Sequence, residues 1–198
     1  MPPFNAERRD HLADAAIAVL GKEGARGLTH RAVDAQADEP PGTTSRYFRT
    51  REALMTAIVE RVRAQHFADL RRAPRGVVDA AEVAEHLAAM VHAAITTHRL
   101  RHLAIAELFL EATRYPALRA DMAATRGAQI QLMRDIHQAA GLHLTPSDAA
   151  LLVGAITGIV HIALTTPAAI GVDTPDDVRP VVRRAVDLVH ARARRHVA

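Results

Sequence analysis

Cysteine is absent from the 198-residue chain. That excludes a disulfide scaffold, a thiolate metal site and a cysteine nucleophile. Tryptophan is absent too, and aromatics are only 3% of the residues, four Phe and two Tyr. The core must therefore be aliphatic, and a 49% apolar content can build one. Neither charge sign dominates: 25 Lys and Arg against 22 Asp and Glu leave a net of +3. So even a balance excludes a polycationic or acidic disordered tail. The first ten residues lack the apolar run of a signal peptide, so a cytoplasmic protein is expected. The most apolar stretch, Ala149 to Leu164, falls short of the ~18–20 residues of a bilayer span and contains His161, so no membrane partner is expected. No His-Glu-x-x-His, P-loop, Gly-x-Ser-x-Gly or dinucleotide fingerprint occurs. His98 and His102 have the spacing of a metal pair but no third ligand in view, so they read as helix surface. No enzyme, metal or cofactor is expected.

What remains is alanine, leucine and arginine, all good helix formers. Of the basic residues every one except Lys22 is Arg. No alternating runs joined by hairpin turns appear, so the fold class is all-α, with about nine helices. The first runs from about Asn5 to Lys22, with Leu12, Ala16, Ile17 and Leu20 on one stripe and Gly24 and Gly27 at its end. Thr29 caps a short helix to about Ala37. Asp38-Glu39-Pro40-Pro41-Gly42 breaks the chain, and a third short helix fits Pro41 to Phe48. Thr50 caps a fourth helix that carries Leu54, Ile58 and Val62 and reaches about Arg72. Pro74-Arg75-Gly76 ends that half. Five longer helices follow, over about 79–97, 100–113, 116–140, 147–166 and 176–195.

Three short helices with tight turns suggest a helix-turn-helix, whose second helix enters the major groove. Arg26, Arg31, Arg46, Arg49 and Arg51 cluster there, against Asp34, Asp38 and Glu39. Such arginines suit a surface that tracks phosphates, although charge alone equally fits a solvated face.

The residue pattern is more specific. Ile17-Ala18-Val19-Leu20, then Gly24, then Leu28-Thr29-His30-Arg31-Ala32-Val33, lead into Gly42-Thr43-Thr44-Ser45-Arg46-Tyr47-Phe48-Arg49-Thr50-Arg51-Glu52-Ala53-Leu54. This run resembles the N-terminal domain of the TetR family of transcriptional regulators. The resemblance implies a helix-turn-helix domain at 1–50, a connecting helix at 51–72 and a ligand-binding and dimerisation bundle at 73–198. It implies that Thr29 and Arg51 hold phosphates and that Arg31 points to the backbone or the groove. Gly42 would let the main chain approach DNA, Thr43, Thr44 and Arg46 would face base edges, and Tyr47 would place its hydroxyl on a phosphate while Phe48 packs inward. The chain departs from the family at Asp38-Glu39-Pro40-Pro41, where Gly-Val-Ser-Lys is usual, and the lost Lys and added acid should weaken backbone affinity. Asp38 can take the left-handed conformation that Gly supplies, whereas Glu39 must find a partner if buried.

A helix apolar on nearly all faces, such as Ala149–Leu164, needs cover on all sides. That cover is its own core, a second subunit, or both. Leu152, Ile156 and Ile159 on this helix, with the Val178, Val182, Val186 and Val189 stripe on the last, are the candidate homodimer interface; plain monomer core is the alternative. Candidate ligand contacts are Met90, Phe109, Met122, Met133 and Ile156, with Glu107, His137 and His161 as polar handles. With so few aromatics, the pocket suggests a small hydrophobic ligand. The expected function is a ligand-responsive, homodimeric regulator, a repressor released from a double-stranded DNA operator. The alternative is a helical protein-interaction module that has lost specific DNA binding.

Overall fold

The computed structural model describes residues 5–71 and 79–195. The expected break at Pro74-Arg75-Gly76, and the boundary near residue 72, lie outside the described residues. Among these residues there are nine α-helices and two 3-10 turns and no strand, so the chain is all-α. It divides into two compact units, each interrupted in sequence. As far as described, the first holds 5–67 with 100–124, and the second holds 68–99 with 125–195. This follows different lines from the contiguous division at 50 and 72, because the first unit takes in a helix from the chain's middle.

The first unit contains α1 (Ala6–Gly27), α2 (His30–Gln36), α3 (Thr43–Tyr47), most of α4 (Arg51–Arg71), α6 (Arg99–Ala112) and the start of α7 (Pro116–Ala139). The expected apolar stripe of α1 is buried: Leu12, Ala16, Ile17 and Leu20 join Leu28, Val33, Phe48, Leu54, Ile58 and Leu108 in one core. Gly24 does interrupt α1, with a φ of 69°, but one more turn follows before Leu28. The interruption frees the Ala25 N–H, which donates to Glu107 of α6 at 3.1 Å. A backbone donor left by the kink thus finds a side-chain acceptor.

The second unit contains α5 (Ala80–Ile95), the rest of α7, α8 (Pro146–Thr165) and α9 (Val178–Arg195). Asp79 caps α5 by accepting from the N–H groups of Ala81 and Glu82 at 2.8 and 2.9 Å. Short 3-10 turns at Pro167–Ile170 and Pro175–Asp177 lead into α9. α9 lies along α5 and α8. Its Val178, Val182, Val186 and Val189 are buried there with Val83, Leu87 and Val91 of α5 and Leu152 of α8. Each valine contributes roughly 1.5–2 kcal/mol over its exposed state. By length and composition alone, the 20-residue α8 is long and apolar enough to cross a membrane, unlike the shorter stretch read from sequence. One side of it, Ala149, Leu152, Val153, Val160, Ala163 and Leu164, is nonetheless packed inside the unit.

Candidate nucleic-acid interface

The helix-turn-helix is assembled around one buried carboxylate. Asp34 sits on α2 and is only 3% exposed. Its Oδ2 accepts from the Gly42 N–H at 2.8 Å. Its Oδ1 accepts from the Thr44 N–H at 2.7 Å and the Thr44 hydroxyl at 2.6 Å. Burial works against the charge, but these hydrogen bonds outweigh it and hold the Asp34 carboxyl below its usual range. A negative side chain at the start of α3 also complements that helix end.

The turn between the helices is shaped by its unusual residues. Asp38 has a φ of 53°, the left-handed region in which Asp substitutes for Gly. Glu39 is half-buried, and Arg8 of α1 pairs with both its oxygens at 2.8 and 2.9 Å. The added acid is therefore balanced by a cation that DNA would otherwise attract. Gly42 has a φ of 89° and caps α3. That conformation, costly for any other residue, explains the glycine and delays α3 to Thr43 rather than the expected Pro41.

Further polar contacts fasten α1, α2 and α3 to their neighbours. His30 donates to the Phe48 carbonyl at 2.6 Å and His11 to the Ala37 carbonyl at 2.9 Å. Arg9 lies 5.4 Å from the centroid of the buried Phe48 ring. Thr29 caps α2 by accepting from the Ala32 N–H at 3.1 Å, and Thr50 caps α4 by accepting from the Ala53 N–H at 3.0 Å.

Three of the expected DNA contacts have internal partners. Thr44 is 0% exposed and its hydroxyl is spent on Asp34. Thr43 is buried and donates to the Pro40 carbonyl at 2.7 Å. Neither faces a base edge in this conformation, because a buried hydroxyl that satisfies an internal acceptor is not presented to a ligand. Arg51 is also turned inward. Its guanidinium donates to the carbonyls of Leu28 and Ala25, tying α4 to the segment between α1 and α2. In this conformation it braces the domain. Arg31, Arg46 and Thr29 remain exposed, and Tyr47 is half-buried beside Phe48. Ser45, which was not among the expected contacts, and Arg49, named only as part of the arginine cluster, are exposed next to them. Position alone flags both, since they flank Arg46 by one and three residues.

The expected ligand residues are divided between the units. In the first, Glu107 is spent on the Ala25 N–H, Phe109 is exposed, and Met122 packs against the core. In the second, Met90 and Ile156 are half-buried, Met133 is buried and His161 is exposed. His137 is buried on α7 and donates through Nδ1 to the Met133 carbonyl at 2.7 Å, leaving Nε2 with no hydrogen-bond partner. Its ring meets that of His190 at 5.1 Å, edge to face, and His190 Nε2 is unpartnered as well. Burial lowers the pKa of both. For His190 it falls to about 4, helped by His137 and Arg194 and opposed by Asp187.

The expected dimer residues also divide. Leu152, Val178, Val182, Val186 and Val189 belong to the core of their own subunit, so they cannot form a contact between subunits. Ile156 and Ile159 stay half-buried. Leu151 and Leu188, which were not among the expected residues, are 52% and 68% exposed. Leu188 stands two positions from Val186, off the valine stripe, and that offset is its signal in sequence.

Residues 78–188 match the family model described as tetracyclin repressor-like, C-terminal domain. Among solved structures, the multidrug binding protein EbrR complexed with imidazole is 30% identical, with 91% of this chain and 96% of that one covered and a TM-score of 0.66. The same protein complexed with ethidium is 31% identical, with 92% and 99% covered and a TM-score of 0.67. A TetR-family member from Streptomyces coelicolor A3 is 31% identical, with 90% and 98% covered and a TM-score of 0.67. No curated protein matches. The family match spans more than half of the chain, and the related structures span nearly all of it. The chain belongs to the TetR family of transcriptional regulators.

Proposed function

We propose that the chain is a homodimeric, cytoplasmic repressor that a small hydrophobic molecule releases from a double-stranded operator. The observation that carries the reading is the exposed set Arg31, Arg46 and Arg49 on a helix-turn-helix whose Asp34, Thr44 and Arg51 are occupied internally. Such arginines neutralise phosphates and read guanine edges. Arg46 is assigned to a base edge, and Thr29, Arg31 and Tyr47 to the backbone, with Gly42 allowing close approach.

Two copies would place their recognition helices roughly 34–36 Å apart, on successive major grooves. The exposed Leu151 and Leu188, with half-buried Ile156 and Ile159, supply an apolar face for the second copy. Met90 and Ile156 are the retained ligand contacts, because each is apolar and only half-buried. A ligand that binds the splayed dimer better than the DNA-competent one would shift the population off DNA. The similarity to EbrR, a multidrug binding protein solved with the aromatic cation ethidium, supports a small organic occupant with a large apolar surface.

Fluorescence anisotropy on DNA from upstream of the protein's own gene, with scrambled DNA alongside, tests this. The expected result is a preference for the upstream DNA, with a log affinity that falls linearly in log salt. No binding to either DNA at low salt would overturn it and favour a protein-interaction module.

A further inference from the structure

The start of α4 and the corner between α6 and α7 enclose a cavity of about 250 Å³ inside the first unit. Met55 and Leu118 line it and are almost fully buried. Thr56, Glu52 and the exposed ring of Tyr115 complete the lining. Arg51 closes one side, but its guanidinium already donates to Leu28 and Ala25. Thr50 also lines it, and its hydroxyl accepts from the Ala53 N–H. The polar groups left for an occupant are the Glu52 carboxylate and the Thr56 and Tyr115 hydroxyls.

We propose that this cavity binds a small aromatic molecule carrying one hydrogen-bond donor, of the phenol or indole type. The volume lies just under the ~300–1,000 Å³ of drug-sized pockets, which suits one or two fused rings. A thioether and a phenol ring both contact aromatic faces favourably. Glu52 is an acceptor only, so a ligand N–H or O–H finds a charged acceptor there, and an anionic ligand would meet like charge. Its lining residues all belong to the first unit, whereas Met90 and Ile156 belong to the second, and its occupancy does not require DNA. Because Arg51 also braces α4 to the segment joining α1 and α2, an occupant would touch that brace directly.

The chain has five methionines, so methionine-methyl NMR of the full-length protein reports on the cavity through Met55. Indole is the probe, with 1-methylindole as the same ring without the donor. The expected result is a saturable shift of the Met55 methyl while Met90 and Met133 stay still. 1-Methylindole should bind about tenfold more weakly, the loss of one hydrogen bond to a charged acceptor. Thr56→Phe should fill the cavity and abolish the response. A Met55 methyl that indole leaves unmoved, or Met90 and Met133 responding in its place, would overturn the proposal. Equal binding of the two indoles would overturn the assigned donor chemistry. If Thr56→Phe fails to fold, the two indoles on the unmodified protein still decide.

Discussion

In the helix-turn-helix, a buried Asp34 accepts three hydrogen bonds, and Thr44, His30, His11 and Arg51 each satisfy a buried or half-buried partner. In the second unit, His86, His137 and His190 each carry a buried Nε2 with no hydrogen-bond partner. Both regions have aliphatic cores, and they differ in how their buried polar groups are settled. Satisfied polar contacts fix geometry, and a surface that must match DNA needs that fixity. Unsatisfied groups are a standing cost, of about 1–3 kcal/mol each. A region that holds them has less to lose by rearranging, which suits a unit expected to answer a ligand.

The contrast is broken most forcefully at Asp34. Asp34→Ala removes an acceptor from three donors, two of them on the fully buried Thr44. A loss of about 3 kcal/mol in urea unfolding and of all specific DNA binding is expected. Acidification should probe the other region. The folded His190 titrates near 4, so the unfolded chain takes up the proton first, from about 6.5 downward. Stability is therefore full above about pH 6.5 and is lost progressively to about pH 4, by up to about 3 kcal/mol. Urea midpoints across that window should fall less steeply in His190→Leu.

Smaller effects are expected on the DNA-facing side. Arg46→Ala should cost ~1–3 kcal/mol of specific affinity and relax the preference at one base pair, with an unchanged melting temperature. A uniform loss across sequences would reassign it to a phosphate. Glu39→Gln releases Arg8 and removes an acid, so affinity for any duplex should rise roughly threefold at low salt.

The features legible in sequence are those decided within a few residues. Thr29 and Thr50 are caps because their hydroxyls reach an N–H three positions on. Asp38 and Gly42 announce positive φ, and the α1 and α9 stripes announce which side is buried. What escaped depends on distant partners. The Asp34–Thr44 contact joins two helices across the turn, and the carbonyls that capture Arg51 lie 23 and 26 residues earlier. The valine stripe of α9 says that something covers it, but periodicity cannot say whether that cover is α5 and α8 or a second subunit. The same limit explains why the exposure of Leu188, beside the buried Val186, was not legible.

The central claim is that the outward arginines meet DNA while Arg51 holds the domain together. Salt titration of operator affinity for Arg31→Met and Arg51→Met tests it most directly, because each lost phosphate contact reduces the slope by about 0.9. The account predicts a reduced slope with unchanged stability for Arg31→Met, and an unchanged slope with lowered stability for Arg51→Met. A reduced slope for Arg51→Met, with the slope of Arg31→Met unaltered, would contradict it.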